Sequence, residues 1–161
     1  FSGILLIVPL FRIFSSIGLI DNRLSVIIAC LVTTMPAGLS MLTSYFQSLP
    51  DSVEEAAMMD GLNRVQVIFK IVVPLSIPGI MSVFSYVFMN TWNNFLYVAT
   101  FLNSYEKMTL IIGMRNLFSS QDYVWGRMMM ASILTAIPVI LIFAVVEKFM
   151  KGGLTSGAVK G

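Results

Sequence analysis

Long uncharged apolar runs restrict the fold of this sequence more than any other feature. Residues 24–46 and 128–146 contain no charged side chain, and a helix needs about 20 mostly apolar residues to cross the hydrocarbon core of a bilayer. Over the whole chain 57% of the residues are hydrophobic and 11% are charged, whereas soluble domains carry roughly 25% charged residues. We therefore predict an all-α polytopic transmembrane helical bundle whose surface faces lipid.

Four segments have the length and apolar character of membrane spans. The predicted spans are residues 1–19, 24–46, 74–102 and 127–147. Pro36 and Pro138 lie within two of them, where a proline kinks a helix without abolishing it if the freed carbonyl finds another partner. The sequence begins at Phe1 inside an apolar stretch, without an initiator methionine or a basic leader, so we expect further membrane segments upstream.

Composition excludes several classes of function. The net charge is +2 and the bases are not clustered, which argues against nucleic acid as a partner. The sequence has no histidine, which excludes a Ser-His-Asp triad and a His-containing zinc site. The single cysteine, Cys30, lies in an apolar run and is interpreted as a small buried hydrophobic residue. We predict no catalytic residues, metal or cofactor for the chain itself.

The most polar stretch, residues 47–73, is predicted to be an aqueous loop that starts with a short helix. Pro50 suits a first helical turn, and Ser52 with Glu55 has the spacing of a capping box. Gly61 is expected to end this helix, because glycine readily adopts the left-handed conformation of a helix terminus.

A second short helix is predicted after the glycine. Asn63 has N-cap chemistry, and Gln66 three residues later completes a capping-box pattern. The helix should stop before Pro74, since the residue before a proline disfavours the helical conformation. The loop is thus predicted to be a helix-turn-helix between two spans.

The residues of the first loop helix leave two interpretations open. A partner could dock on it, because Ala56 and Ala57 permit close backbone approach while Glu54, Glu55 and Asp60 remain available to basic groups. Alternatively, it is a solvated linker helix whose alanines favour helicity. A pair of catalytic carboxylates fits less well, because adjacent residues point about 100° apart on a helix.

A resemblance to a known family favours docking. Glu55-Ala56-Ala57, Gly61 and Ile71-Val72-Val73-Pro74 resemble the EAA loop of ABC-importer permeases, with Val73 in place of the usual leucine. Other motifs resemble the binding-protein-dependent, maltose-transporter-like carbohydrate branch: Leu49-Pro50, Asp60-Gly61, Pro74-Leu75, Trp92-Asn93-Asn94-Phe95 and Gly153-Leu154-Thr155-Ser156-Gly157-Ala158-Val159-Lys160-Gly161.

The resemblance implies a permease subunit with six spans in the family, of which this chain holds the last four, in a bacterial or archaeal inner membrane. It implies a cytoplasmic EAA loop that couples transport to a separate ATPase through Glu54, Glu55, Ala56, Ala57, Asp60 and Gly61. Implied partners are an ABC ATPase dimer, a second permease subunit, an extracellular or periplasmic solute-binding protein, and membrane lipid. ATP and Mg are assigned to the ATPase, since this sequence lacks a P-loop motif.

The third predicted span carries a polar pattern that a solute pathway would need. Its residues fall on one face of a continuous helix: Tyr86, Asn90, Asn93, Asn94 and Tyr97. Polar groups at membrane depth face protein or water, so these side chains either line a sugar pathway or bond between helices. Asn94 stands where relatives often carry glutamate.

The last third of the chain adds a predicted interfacial helix and a tail. Between residues 103 and 125 an amphipathic stripe predicts a helix at the membrane interface or packed on the bundle: Leu110, Ile111, Met114, Leu117 and Phe118. Three aromatic residues are predicted to form an interfacial belt: Tyr105, Tyr123 and Trp125. Residues 151–161 are predicted to be a flexible cytoplasmic tail after a permease domain of residues 1–150.

Two other function classes stay open beside the sugar importer. An ABC permease for a non-sugar solute would use the same loop, whereas a channel-like or structural membrane subunit would not need a docked one. An intramembrane protease is disfavoured, because the second and third predicted spans contain no Asp or Glu.

Overall fold

The computed structural model describes residues 3–119 and 125–155, and every regular element in these ranges is a helix. The α-helices are α1 Gly3–Ser16, α2 Arg23–Gln47, α3 Asp51–Met59, α4 Arg64–Val67, α5 Val73–Leu75, α6 Ile77–Trp92, α7 Leu96–Phe101, α8 Leu110–Ser119 and α9 Trp125–Thr155. A π-helical segment, Ile68–Val72, joins α4 to α5, and a 3-10 turn, Tyr105–Lys107, precedes α8. The predicted all-α membrane architecture is confirmed.

Among the described residues, two helices are long and apolar enough to cross a bilayer alone: Arg23–Gln47 and Trp125–Met150. Arg64–Leu75 and Ile77–Trp92 form a third candidate, a pair of helices bent by 68°. Helix α1 is apolar but has 14 residues, fewer than the about 20 that a bilayer requires. Pro36 and Pro138 lie inside α2 and α9, as the sequence predicts.

The third predicted span, residues 74–102, is wrong as a single helix. Helix α6 ends at Trp92 and α7 begins at Leu96. The Asn93 amide donates to the Met89 carbonyl at 2.9 Å, and Asn94 Oδ1 accepts from the Tyr97 N–H at 3.0 Å. Asparagine side chains compete in this way with the backbone bonds of a helix, which accounts for the break.

The described residues of Phe1–Pro36 and Phe88–Ile140 form one compact unit. Its core is aromatic: Phe14 meets Phe101 edge-on at 5.1 Å between ring centroids, and Tyr97 stacks on Phe101 at 5.9 Å. Cys30 lies in the same core, as predicted, together with Ala29. A second cluster of buried residues contains Val98, Leu102 and Ile112. Such aromatic pairs contribute about 0.5–1.5 kcal/mol each beyond the area they bury.

A polar cluster fixes the turn between α1 and α2 in this unit, and we call it the Asp21 knot: Asp21, Asn103, Ser104 and Lys107. Asp21 Oδ1 accepts from the backbone N–H groups of Asn103 at 2.9 Å and Ser104 at 2.8 Å. Its Oδ2 accepts from the Ser104 hydroxyl and, at 2.7 Å, from the Lys107 ammonium. Lys107 first, and then the other donors, hold the pKa of the Asp21 carboxyl well below its usual value.

The described residues of Ala37–Val87 and Leu141–Gly161 form a second unit. Within it, two buried glycines allow α2 and α6 to approach closely. A Cβ on Gly38 would lie 3.3 Å from Val83 Cγ1, and one on Gly79 would lie 2.6 Å from both Cδ atoms of Tyr45. Small residues at such contacts let membrane helices pack backbone to backbone.

The last third of the chain follows the prediction in part. The amphipathic helix is present as α8, and its most buried residue is Ile112, outside the predicted stripe. Tyr105 and Trp125 are 82% and 68% exposed, while Tyr123 lies outside the described residues. Helix α9 continues to Thr155, so the first five residues of the predicted tail, 151–155, are helical. Residues 156–161 lie outside the described ranges.

Candidate functional site

The EAA loop, residues 47–73, begins with α3. Pro50 occupies the N-cap position, with φ −67° and ψ 129°, so the predicted Ser52–Glu55 capping box is wrong. Proline favours this extended conformation, and the Val53 N–H bonds to its carbonyl at 3.1 Å. Asp51 and Glu54 lie in the first turn, where their charge is favourable to the helix dipole.

The turn after α3 is locked by its backbone. The Gly61 N–H donates to the Met58 carbonyl at 3.0 Å, and the Leu62 N–H donates to the Ala57 carbonyl at 3.2 Å. These two bonds form a Schellman motif, which needs a left-handed residue after the helix. Gly61 supplies it, with φ +83°. The prediction that Gly61 ends this helix is confirmed.

Helix α4 starts with the predicted capping box. The Gln66 N–H donates to Asn63 Oδ1 at 2.9 Å, and the Asn63 N–H donates to Gln66 Oε1 at 3.0 Å. The expected stop before Pro74 is wrong. The chain passes through the π-helical Ile68–Val72 into α5, which contains Pro74. A π-helical turn shifts the hydrogen-bond register, so the missing N–H of the proline does not end the helix.

The structure separates the predicted coupling residues by exposure. Five of them are exposed: Glu54, Glu55, Ala56, Asp60 and Gly61. Ala57 is 6% exposed, so its side chain lies inside the loop, and its predicted part in coupling stays a prediction. Its small size serves packing inside the loop, where α3 contacts α4 and the π-helical segment.

Large apolar side chains of the loop are also exposed, and they were not predicted from the sequence. Met59 is 88% exposed, Phe69 69% and Val65 62%. Met59 follows the two glutamates in α3, and Val65 and Phe69 lie in α4 and the π-helical segment. An aqueous loop seldom needs apolar side chains for its own solubility, so the sequence did contain a signal for these residues. The loop surface therefore combines carboxylates with apolar area, which suits a protein partner.

Three of the predicted pathway residues meet at one pocket. Asn90, Asn93 and Asn94 line an open cavity of about 500 Å³ together with Met89, Phe95 and Leu96. The Arg115 guanidinium lies 4.7 Å from the centre of the Phe95 ring. That contact was missed, since nothing in the local sequence relates the two residues.

Tyr86 and Tyr97 stand apart from that pocket. Tyr97 is 2% exposed, and its hydroxyl donates to the Gly3 carbonyl at 3.4 Å. Tyr86 is half-buried on α6. The predicted single helical face is wrong because α6 ends before Asn93, although Tyr97 still holds Asn94 through its backbone N–H.

Residues 2–151 match the family described as binding-protein-dependent transport system inner membrane component. The chain belongs to this family. The match covers both loop helices and the asparagine pocket, and it confirms the resemblance carried by the EAA motif.

Curated relatives of this membrane component include ABC permeases. The chain is 53% identical over 161 residues to the inner membrane ABC transporter permease protein YcjP of Escherichia coli, covering 100% of this chain and 58% of that protein. It is 32% identical over 163 residues to the trehalose/maltose transport system permease protein MalG of Thermococcus litoralis, again covering 100% and 58%. It is also 32% identical over 161 residues to the sulfoquinovosyl glycerol transport system permease protein SmoH of Agrobacterium fabrum, covering 100% and 56%. The chain spans somewhat more than half the length of these relatives.

Proposed function

We propose that the protein is a membrane-spanning permease subunit of an ATP-driven ABC importer for a sugar or oligosaccharide. Membership of the inner membrane component family supports the transport role, and the names of the trehalose/maltose and sulfoquinovosyl glycerol permeases support a carbohydrate solute. The observation that carries the proposal is the EAA loop itself, a capped helix-turn-helix with exposed carboxylates and exposed apolar side chains.

The loop is built to transmit force from a docked ATPase. Its Schellman turn and its capping box fix the angle between α3 and α4, so a partner that moves one helix moves both. Glu54, Glu55 and Asp60 supply charge for basic groups of the ATPase, and Met59 supplies apolar area. Burying that apolar area on docking favours the complex.

We assign ATP chemistry to a separate partner protein. ATP and Mg belong to an ATPase dimer on the cytoplasmic side, where the EAA loop and the C-terminus lie. A second permease subunit completes the pathway, and an extracellular or periplasmic solute-binding protein delivers the solute. The chain alternates access and forms no covalent bond with its cargo.

The asparagine pocket is the proposed contact for the solute. Amide groups of Asn90, Asn93 and Asn94 can donate to and accept from sugar hydroxyls, and the Phe95 ring offers an apolar face. Tyr86, four residues before Asn90 on α6, is also proposed to contact the solute. Tyr97 contributes indirectly, because its backbone N–H donates to the Asn94 side chain.

The proposal predicts that Gly61→Asp abolishes ATPase binding without preventing membrane insertion. Asp tolerates a left-handed backbone better than most residues, so at Gly61, with φ +83°, the substitution acts mainly by adding a charged side chain to the surface that the ATPase must approach closely. Gly18→Asp is the matched control, because Gly18 has φ +69° and, like Gly61, an unobstructed Cβ position. The full-length protein and its variants are purified in detergent, and the co-purifying ATPase is quantified.

We expect wild type and Gly18→Asp to retain the ATPase and Gly61→Asp to lose it. Equal retention by both variants would refute the loop as the dock. Absence of any ATPase from the wild-type preparation, under conditions that preserve membrane complexes, would refute the importer itself.

A further inference from the structure

A sharp bend lies between the EAA loop and α6, and we call it the Ser76 bend: Leu75, Ser76 and Ile77. Pro74 and Pro78 flank it, and each removes a backbone N–H from the helical hydrogen-bond pattern. The segments on either side, Arg64–Leu75 and Ile77–Trp92, meet at 68°. A joint between two prolines is a place where motion of the loop would be absorbed unless another group holds the angle.

Ser76 forms hydrogen bonds to the backbone on both sides of the joint. Its N–H donates to the carbonyls of Val72 at 2.9 Å and Val73 at 3.1 Å, and its hydroxyl donates to Val72 at 2.7 Å. The Ser76 carbonyl in turn accepts from the Ile80 N–H at 2.9 Å. Ser76 is completely buried. These bonds are local, so they leave the angle between the two segments unspecified.

Tyr45, near the end of α2, touches both sides of the bend. Its hydroxyl donates to the Leu75 carbonyl at 3.3 Å, before the bend. Its ring lies against Gly79, after the bend, so closely that a Cβ there would be 2.6 Å from both Cδ atoms. The Tyr45 carbonyl accepts from the Ser48 N–H at 3.0 Å and the Ser48 hydroxyl at 2.6 Å, which secures the end of α2.

We infer that Tyr45 is a positioning residue that clamps the Ser76 bend, so that displacement of the EAA loop reaches α6 as the movement of one rigid piece. The ring seated on Gly79 and the hydroxyl on Leu75 fix the two segments to a common third point on α2. Any straightening of the bend must break one of these contacts. The role of the clamp in coupling rests on the proposed function, whereas the clamp itself does not.

The test measures the distance across the bend by double electron–electron resonance. Spin labels are placed at Lys70→Cys and Phe84→Cys, one on each side, in a Cys30→Ala background of the full-length protein in detergent. Tyr45→Ala should broaden the distance distribution and raise the population outside the main peak at least about tenfold, the change expected when a packed side chain is removed. Tyr45→Phe keeps the ring and should raise that population about fivefold, as for one net hydrogen bond.

Gly38→Ala is the matched control for helix packing. It adds a Cβ 3.3 Å from Val83 Cγ1, in the contact between α2 and α6. It disturbs helix packing without removing either Tyr45 contact, so it should shift the distribution slightly without broadening it. A wild-type distribution that is already broad, or one that Tyr45→Ala and Tyr45→Phe leave unchanged, would overturn the inference. Because this measurement needs no ATPase, loss of the clamp and loss of ATPase binding are separate results.

Discussion

The Asp21 knot and the Ser76 bend hold backbone segments together by opposite means. In the knot, one carboxylate gathers donors from Asn103, Ser104 and Lys107, residues more than 80 positions away in sequence. At the bend, most bonds are local, and the long-range contact is a single tyrosine. Removing the Asp21 side chain therefore leaves several donors without their acceptor, whereas removing the Tyr45 hydroxyl takes one donor from the Leu75 carbonyl. The knot holds two distant segments together, and the bend keeps the angle between two adjacent segments.

The largest stability effect is expected from Asp21→Ala. It leaves two backbone N–H groups without their acceptor and removes the carboxylate from the Lys107 ammonium, which keeps only the backbone carbonyl of residue 21. It also forces alanine to adopt φ +59°. The melting temperature of the detergent-purified protein should fall by several degrees. Tyr45→Phe, which removes one weak bond, should change it far less. Equal falls in melting temperature for the two variants would contradict the difference inferred between the knot and the bend.

A smaller effect is expected on the pH dependence of stability, because the Asp21 knot contains an ionised carboxylate and the Ser76 bend does not. Asparagine at position 21 tolerates the left-handed conformation, so Asp21→Asn adds no backbone strain. It removes the charge and one of the two acceptor oxygens, each of which accepts from two donors. The folded carboxyl has a lowered pKa, while the unfolded one titrates near about 3.9. The contribution of the knot is therefore complete above about pH 5 and is lost as the pH falls below about 4 toward the folded pKa.

Thermal melts of wild type and Asp21→Asn in detergent, over a range of pH, test whether this stabilisation is lost on acidification. Wild type should be the more stable protein near neutral pH, and the two melting temperatures should converge in acid. A difference that stays constant over the range, or grows on acidification, would show that the ionised carboxylate is not what holds the knot.

Local features of the chain could be predicted from sequence because their partners are close neighbours. Gly61 and the Asn63–Gln66 box depend on residues within one helical turn. The break after Trp92 could have been predicted from Asn93-Asn94, but the apolar residues on both sides favour one continuous span. The clamp escaped prediction because Tyr45 and Leu75 are 30 residues apart.

Burial inside the loop also lay beyond sequence reasoning. Ala56 and Ala57 are adjacent alanines in one motif, and composition gives no reason to separate them. The packing of α3 on the second helix buries Ala57 and leaves Ala56 exposed. The Asp21 knot is a similar case, since its acceptor and its lysine lie 86 residues apart.

Docking of the EAA loop on an ATPase can be tested by cysteine cross-linking at these two alanines. Ala56→Cys and Ala57→Cys are made in the full-length protein with Cys30→Ala, and the membrane complex is treated with a short bifunctional thiol-to-amine reagent. We predict a cross-link to a P-loop ATPase from position 56 and little or none from the buried position 57. Equal labelling at both positions, or no ATPase adduct from position 56, would contradict it.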